Sequence, residues 1–309
     1  MPNRRKFESI NEGKESFESV YNRPEPRGYY RTLSGLDYII PGVAKPVFQA
    51  VAKALRKTRN TVHTKIVDLG CSYGVNAALL KHDCELDELY VHFASSPDLS
   101  VAEALDEDSE FIAELPANEN LEIVGIDIAD NAIEYAKEIE LLDDGLAIDL
   151  ESQTLTRAEA ETVAGTDLII STGCVGYVTD RTFSRLIPVA TDKAPPWVAS
   201  FVLRMFPYKD IEETLDRSAG LATERLDGYA FPQRRFANAQ ERDHVVAEIR
   251  RIGRDPAQEL EHDCYFAEFY LSRPPEEIER MPLAEMMETF ADNLIQRSDL
   301  PLEPTITPV

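Results

Sequence analysis

The chain has 309 residues and a formal net charge of −24, with 56 Asp and Glu against 32 Lys and Arg. A surface of that sign repels a phosphate backbone, which argues against DNA or RNA as a substrate. Four scattered cysteines, and no apolar run of about 18 residues, argue against a disulfide scaffold, a zinc site and a membrane-spanning helix. We expect a cytoplasmic α/β protein with one large domain that carries additions.

The first 60 residues are predicted to form a helical arm and a lid. They hold 12 Lys or Arg against 6 Asp or Glu, whereas residues 81–163 hold 3 against 24. We interpret this contrast as a basic arm lying against an acidic body. Residues 1–23 place apolar side chains at helix-like intervals. Four prolines in segment 22–48 are expected to break regular structure, so we interpret it as a lid over a pocket. A strap packed on the back of the domain fits the pattern equally well.

A buried strand, a glycine turn and the start of a helix follow one another in the stretch KIVDLGCSYGVNAALL, residues 65–80. The strand ends at Asp68 and Leu69, and the turn runs from Gly70 to Gly74. Because glycine has no Cβ, such a turn lets backbone N–H groups and a helix N-terminus approach a ligand closely. The pattern predicts a nucleotide-type site, but a glycine turn by itself does not say which ligand binds.

Strands and helices alternate after an acidic helical insertion at 83–118. Further strands are predicted at 121–127, 146–149, 167–171 and 197–205, with helices between them. This alternation predicts a doubly wound parallel sheet with ligand sites at the carboxyl ends of the strands. Two last strands, at 222–231 and 265–272, predict an antiparallel edge, and appended helices follow from residue 274.

Acids close three successive predicted strands, namely Asp68, Asp127 and Asp149. A carboxylate at the end of the second strand can accept both hydroxyls of a ribose, and one at the end of the third can accept from an adenine amine. Each acid alone is more readily explained as a helix N-cap or a loop acid. Together, at successive strand ends, they favour an adenosine site.

Over residues 62–205 the sequence resembles the class I S-adenosylmethionine (SAM)-dependent methyltransferases. VDLGCSYG is similar to the first motif of that family, and VGIDIADNAIEYAK to its second. The family's adenine-contact position is occupied by AIDLE, and the position of its strand-four motif by DLIISTGCVGY. The resemblance implies a Rossmann-like, doubly wound, mainly parallel seven-stranded sheet with an antiparallel edge strand. It also implies three regions: an arm and lid at 1–60, a SAM-binding domain at 61–275 and a C-terminal helical tail at 276–309.

The resemblance implies that SAM lies along the strand ends. The implied cofactor-binding residues are Asp68, Gly70, Cys71, Ser72 and Gly74 around the methionine and ribose, Asp127 on the ribose, Ile128 over the adenine, Asp149 and Leu150 at its edge, and Ser171, Thr172 and Gly173 near the methionine. Ser72 replaces the middle glycine of the family's turn, with Tyr73 beside it, which predicts a narrower pocket. The insertion lengthens the interval from Asp68 to Asp127 beyond the roughly 20 residues of a compact unit.

Aromatic residues are the candidates for the reacting centre. Tyr177 follows strand four, and an aromatic face attracts a sulfonium through a cation–π interaction. Packing under the lid explains Tyr177 nearly as well. Tyr30, with Tyr29, is expected to close the other side, and Arg31 to contact the SAM carboxylate, although GYYR also fits a surface strap. Each histidine is better explained by a surface or structural role than as a base.

We expect a SAM-dependent methyltransferase that acts on a small molecule by in-line transfer, without a metal, a nucleic acid or a membrane partner. Strand four lacks the Pro-Pro-aromatic signature of enzymes that methylate base amines, and no Asp-Asn pair follows it for magnesium. An acidic acceptor is suggested by the cluster Tyr229, Phe231, Gln233, Arg234, Arg235 and Phe236, but its arginine pair also fits the neutralisation of nearby carboxylates. Two alternatives stay open. One is a SAM-consuming cyclase of the azetidine-2-carboxylate synthase type, which releases methylthioadenosine. The other is a SAM-binding protein without turnover. The acceptor, and whether the protein is a homodimer, are also open.

Overall fold

The computed structural model describes residues 7–14, 18–94, 99–287 and 307–308. The strands are β1 (Thr64–Leu69), β2 (Leu121–Asp127), β3 (Asp144–Ala147), β4 (Leu168–Thr172), β5 (Trp197–Leu203), β6 (Ala222–Arg225), β7 (Tyr229–Arg235), β8 (Cys264–Arg273) and β9 (Thr307–Pro308). They form one sheet in the order β3-β2-β1-β4-β5-β8-β7-β9, with β6 also paired to β8.

The first five strands are mutually parallel, and β8 is antiparallel to its neighbours on both sides. The predicted Rossmann-like, mainly parallel α/β class is confirmed, because the order 3-2-1-4-5 is that of a doubly wound sheet. The antiparallel strand lies inside the sheet, between β5 and the pair β6 and β7, and not at the edge where we expected it. The strand predicted at 222–231 is two strands that follow one another along β8.

Helices cover both faces of the sheet. They are α1 (Glu8–Asn11), α2 (Glu18–Tyr21), α3 (Arg27–Ser34), α4 (Ile40–Arg59), α5 (Val75–Lys81), α6 (Leu86–Leu89), α7 (Val101–Glu114), α8 (Asp130–Glu138), α9 (Arg157–Val163), α10 (Asp180–Ala190), α11 (Lys209–Ala219), α12 (Ala239–Arg251), α13 (Ala257–His262) and α14 (Pro275–Arg280), with a π-helical turn at Tyr90–Ala94. Among the described helices, none has the length and apolarity needed to cross a membrane.

Successive side chains of the strands enter two separate hydrophobic clusters. Ile66 and Ile123 belong to one cluster, and their neighbours Val67 and Val124 belong to the other. Alternation of this kind follows from the two-residue period of a strand. Because both faces of the sheet are buried, ligands have access to the sheet only at the ends of its strands.

The proline-containing segment 22–48 is more regular than we predicted. It contains α3 and the first part of α4, with Pro41 in the first turn of α4 and Pro46 inside that helix. Pro41 is tolerated because the N–H groups of the first turn have no partner within the helix. Of the predicted tail at 276–309, the described part comprises most of α14, a helix at 283–287 and β9.

A buried carboxylate, that of Asp108, is one of the groups that fix the insertion at 83–118 to the rest of the protein. Its two oxygens accept hydrogen bonds from the Arg27 guanidinium at 3.0 and 3.1 Å, and Oδ1 lies 2.6 Å from Nε2 of His92. The hydroxyl of Tyr135 donates to it as well. Asp108 therefore joins α3, the π-helical turn, α7 and α8. His92, Glu107 and Asp108 are close enough to share a metal ion, but the contacts of Asp108 are those of an ion-pair centre.

Candidate functional site

A left-handed turn links β1 to α5 at the carboxyl end of the sheet. Gly70 has φ +78°, and a Cβ there would lie 2.6 Å from Cβ of Cys174, so a larger residue does not fit. Ser72 also has a positive φ, 48°, which few residues other than glycine adopt. Its backbone N–H donates to Oδ2 of Asp127 at 2.9 Å. The turn is thereby held against the end of β2.

The carboxylate of Asp127 is oriented by backbone donors. Oδ2 accepts from Ser72, and Oδ1 accepts from the N–H of Ala129 at 3.1 Å. Burial raises the pKa of Asp127, and these N–H donors oppose that rise. The side chain is half-buried, so the carboxylate keeps contact with the cleft above the strand ends. Each oxygen has a second lone pair for a hydroxyl donor.

Asp68 lies completely buried beneath the turn. Oδ1 accepts from Nδ2 of Asn76 at 3.0 Å, and the same amide donates to Oγ1 of Thr172 at 3.1 Å. Within the described residues, Oδ2 of Asp68 and Oγ of Ser72 have no hydrogen-bond partner. Burial raises the pKa of Asp68 to about 7. Because folded proteins rarely leave buried polar atoms unpaired, two such atoms beside one turn indicate a ligand site.

The end of β4 borders the same cleft. Sγ of Cys174 donates to the carbonyl of Leu69 at 3.1 Å and lies 3.0 Å from Oγ of Ser171. Burial raises the pKa of the Cys174 thiol to about 12, so the thiol stays protonated and is a poor nucleophile. Gly173 has φ +83°, and a Cβ there would lie 2.3 Å from Nε2 of Gln233. The amide of Gln233 therefore lies directly against the strand-four turn.

Tyrosines surround the cleft on its outer side. Tyr21 and Tyr38 are half-buried, and burial is the main cause that raises the pKa of both hydroxyls. For Tyr38 the nearby Asp68 and other groups add to the rise. Tyr177 is 46% exposed, and Nζ of Lys14 lies 4.6 Å from the centre of its ring. Tyr177 is thus at the rim of the cleft, where its ring already contacts a cation.

Tyr30 and Arg31 lie away from the strand ends. Tyr30 is 1% exposed and stacks on Phe93 of the insertion at 4.5 Å. Arg31 is exposed and donates from Nε to the carbonyl of Ala94 at 3.2 Å. Helix α3 turns both side chains toward the insertion, so the structure does not bring them together with the other predicted site residues.

The predicted adenine-contact residues differ in their surroundings. Ile128 is 64% exposed directly after Asp127. Asp149 accepts from the N–H of Glu151 at 3.0 Å and from Oγ of Ser152 at 3.0 Å, which is the pattern of a turn acid. Leu150 is buried, and its carbonyl accepts from Arg185. Ile128 thus offers an open apolar surface, whereas Asp149 and Leu150 already have partners within the chain.

Tyr73, in the turn after β1, is bound to the N-terminal arm. Its hydroxyl accepts from the N–H of Arg23 at 2.8 Å and donates to the carbonyl of the same residue at 2.9 Å. Asn22 donates to Asp130 at 2.8 Å. Further toward the N-terminus, Asn11 donates to the carbonyl of Gly176 at 2.9 Å. The arm therefore crosses the carboxyl ends of the strands and is attached at both sides of the cleft.

Two residues at the cleft, Asn76 and Tyr38, were not among the predicted site residues. Asn76 leaves a signal in the sequence, because it is the polar residue in the otherwise apolar helix start VNAALL. Tyr38 leaves none. It is next in the chain to Ile39, whose N–H donates at 2.8 Å to the carbonyl of Gln233, a member of the predicted acceptor cluster. That pairing joins segments far apart in the chain.

No protein-family model and no curated protein matches the sequence. Among solved structures, the plantazolicin methyltransferase BpumL in complex with SAH has a TM-score of 0.43 at 12% identity, over 87% of this chain and 98% of that chain. Magnesium protoporphyrin IX methyltransferase (ChlM) from Synechocystis PCC 6803 with bound SAM has a TM-score of 0.36 at 11% identity, over 74% and 79%. The [4+2]-cyclase SpnF has 0.35 at 12%, over 72% and 80%.

The strand order of this chain identifies its fold. The first five strands are parallel in the order β3-β2-β1-β4-β5, β8 is antiparallel beside β5, and a glycine turn follows β1. By these features the chain has a Rossmann-like, doubly wound fold.

Proposed function

We propose that the protein is a metal-independent methyltransferase that uses SAM and acts on a small molecule. One observation supports this most directly. Oδ2 of Asp68 and Oγ of Ser72 are buried without partners, within the described residues, beside a turn that is held against Asp127. A ligand with a polar amino-acid end and a ribose matches these groups, since SAM carries an ammonium, a carboxylate and two ribose hydroxyls.

In this proposal the residues of the chain bind SAM and orient it. Asp127 accepts the ribose hydroxyls, and the exposed side chain of Ile128 packs on the adenine. Asp68 and Ser72 take the polar groups of the amino-acid end. SAM supplies a methyl group that is already activated, so positioning and the exclusion of water are the main contributions of the protein.

The arm and the tyrosines exclude water. Arg23 is bound to Tyr73 on one side of the cleft, and Asn11 to Gly176 on the other. Between them, Tyr21 and Tyr38 keep part of their surface open to the cleft. A ligand at the strand ends would therefore be enclosed by aromatic side chains, which strengthens its electrostatic interactions.

Calorimetric titration with S-adenosylhomocysteine (SAH), the demethylated product, tests the proposal. We expect binding by the wild type and at least about tenfold weaker binding by Asp127→Ala, because two charge-assisted hydrogen bonds to the ribose are lost. Asp106→Ala is the matched control, since Asp106 is exposed on α7. A wild-type protein that binds neither SAM nor SAH would contradict the proposal.

The second candidate is a SAM-consuming cyclase. It is favoured because, within the described residues, no histidine side chain hydrogen-bonds to Asp68, to Asp127 or to the turn after β1. A reaction within SAM needs no second substrate. Incubation with SAM alone separates the two candidates. Methylthioadenosine with a cyclic amino acid indicates cyclisation, whereas SAH that forms only when an acceptor is added indicates methyl transfer.

A further inference from the structure

The side chain of Gln233 lies at the carboxyl end of β4 although it belongs to a different strand, β7. It is 6% exposed. Its Nε2 occupies the space beside Gly173 where any other residue would carry a Cβ. Glycine at position 173 is therefore what admits this amide to the cleft.

The Gln233 amide has no hydrogen-bond partner among the residues that the structure describes, although it is more than nine-tenths buried. The neighbouring residue Arg234 already has partners within the chain. The Arg234 guanidinium donates to both oxygens of Glu241, at 2.7 and 3.0 Å, and lies 4.6 Å from the ring of Tyr265. Only the amide faces the strand-four turn. Because the two polar atoms of this amide are unpaired but not fully enclosed, they can hydrogen-bond a ligand group in the cleft.

The side chains around Gln233 are aromatic or negatively charged. Tyr38 directly precedes Ile39, whose backbone N–H donates to the carbonyl of Gln233, and its hydroxyl is close enough to Asp68 and Cys174 for both to raise its pKa further after burial. The carboxylates that face the cleft are those of Asp68 and Asp127. Lys14 lies at the rim, over the ring of Tyr177. An anionic ligand beside Gln233 would meet two carboxylates, and the guanidinium of Arg234 is already paired with Glu241.

We propose that the Gln233 amide and the Tyr38 hydroxyl bind the methyl acceptor, and that the acceptor is an uncharged aromatic compound with an amide-like edge. A glutamine amide has one acceptor and one donor group side by side, which matches a carbonyl next to an N–H. The ring of Tyr38 supplies an apolar surface for the rest of the molecule. This inference rests on the proposed function for the position of the methyl donor, and it disfavours the acidic acceptor suggested by Arg234 and Arg235.

Ligand-observed NMR with benzamide and benzoate, both in the presence of saturating SAH, tests the inference. The wild type should bind benzamide in preference to benzoate. Gln233→Met keeps the side-chain volume and removes the amide, so benzamide should bind up to about tenfold more weakly while SAH affinity stays within about twofold. Gln240→Met on the exposed start of α12 is the matched control and should change neither ligand.

A second variant tests the inference independently, in case Gln233→Met packs poorly. Gln233→Glu adds a third carboxylate to the cleft, so the preference should move from benzamide to benzylammonium. Three results with these ligands would each overturn the inference. They are equal binding of benzoate and benzamide by the wild type, no binding of benzamide by the wild type, and unchanged binding of benzamide by Gln233→Met. A large loss of SAH affinity in Gln233→Met would also overturn it, since Gln233 would then belong to the cofactor site. Failure of the wild type to bind SAH would instead contradict the proposed function.

Discussion

The guanidinium of Arg27 and the carboxylate of Asp108 form two hydrogen bonds in the protein interior, at 3.0 and 3.1 Å, across 81 residues of chain. One residue comes from the N-terminal arm and the other from the insertion. Both side chains are almost inaccessible, at 2% and 0% exposure. The pair therefore fixes two additions to the sheet against each other.

Replacing Asp108 by Asn should destabilise the protein by about 3–5 kcal/mol, because Arg27 is then left as a buried charge without its partner. Urea denaturation followed by circular dichroism measures the change. Glu107→Gln is the control, since Glu107 is more exposed and its oxygen lies 3.7 Å from the Arg27 guanidinium. Glu107→Gln should cost less than about 1 kcal/mol. Equal effects of the two substitutions would contradict the central role of Asp108.

The raised pKa of Asp68 predicts that the stability of the protein depends on pH. Its pKa is raised to about 7 in the folded protein, whereas an aspartate in an unfolded chain titrates near ~3.9. Between these values the folded state binds a proton that the unfolded state has lost. The contribution of Asp68 is therefore fully present below about pH 4 and declines as pH rises toward 7, by at most about 1.4 kcal/mol per pH unit.

Asp68→Asn should remove that part of the slope. The asparagine still accepts from Asn76, so the variant should be more stable than the wild type at pH 7.5 and lose this advantage at pH 4.5. Urea denaturation at both pH values, without ligand, measures the difference. Asp106→Asn, on an exposed position, should follow the wild type at both. A wild-type curve parallel to that of Asp68→Asn would show that the carboxyl group titrates normally.

The space beside Gly70 can be tested against a glycine of similar conformation. Gly70 and Gly165 have φ of +78° and +72°, but a Cβ at Gly165 meets nothing within 4 Å, whereas at Gly70 it meets Cys174 at 2.6 Å. Gly165→Ala should lower the free energy of unfolding by about 1–2 kcal/mol, because alanine is strained in a left-handed conformation. Gly70→Ala should cost at least about 1 kcal/mol more, because overpacking is added. Thermal unfolding compares the two, and similar losses would mean that the turn can move away from Cys174.

The arm should loosen when Tyr73 loses its hydroxyl. In Tyr73→Phe the N–H and the carbonyl of Arg23 lose their shared partner, at a cost of about 0.5–1.5 kcal/mol for each hydrogen bond. We expect faster amide exchange in residues 18–27, read by mass spectrometry. Tyr229→Phe, at a position that is 36% exposed, is the matched control and should exchange like the wild type. Unchanged exchange in Tyr73→Phe would show that other contacts hold the arm.

The sequence predicted the sheet well because its information is local. Apolar runs that end in Asp68 and Asp127 predicted two parallel strands, and the glycines predicted the turn between β1 and α5. The position of β8 was missed because alternation along the chain does not specify which strands become neighbours. Pairing of β8 with both β5 and β7 depends on contacts between residues far apart in sequence.

The candidate site was only partly predictable for the same reason. The turn, Asp127 and the strand-four end follow from local patterns. The bond between Tyr73 and the arm was not predicted, because its partner, the backbone of Arg23, belongs to a segment 50 residues away. Gln233 belonged to the predicted acceptor cluster, but its pairing with the segment around Tyr38 joins residues still further apart in the chain and leaves no local pattern in the sequence.

The contacts of the arm also bear on how the protein forms during synthesis. The first described residues, 7–14, lie against Gly176 and against His244, whose Nε2 is 2.8 Å from the carbonyl of Ile10. The ribosome completes the chain as far as His244 only after β1 to β7 have been made. The N-terminal residues therefore emerge first but reach their final places after most of the sheet. A nascent chain keeps its strand ends uncovered until most of the protein has been translated.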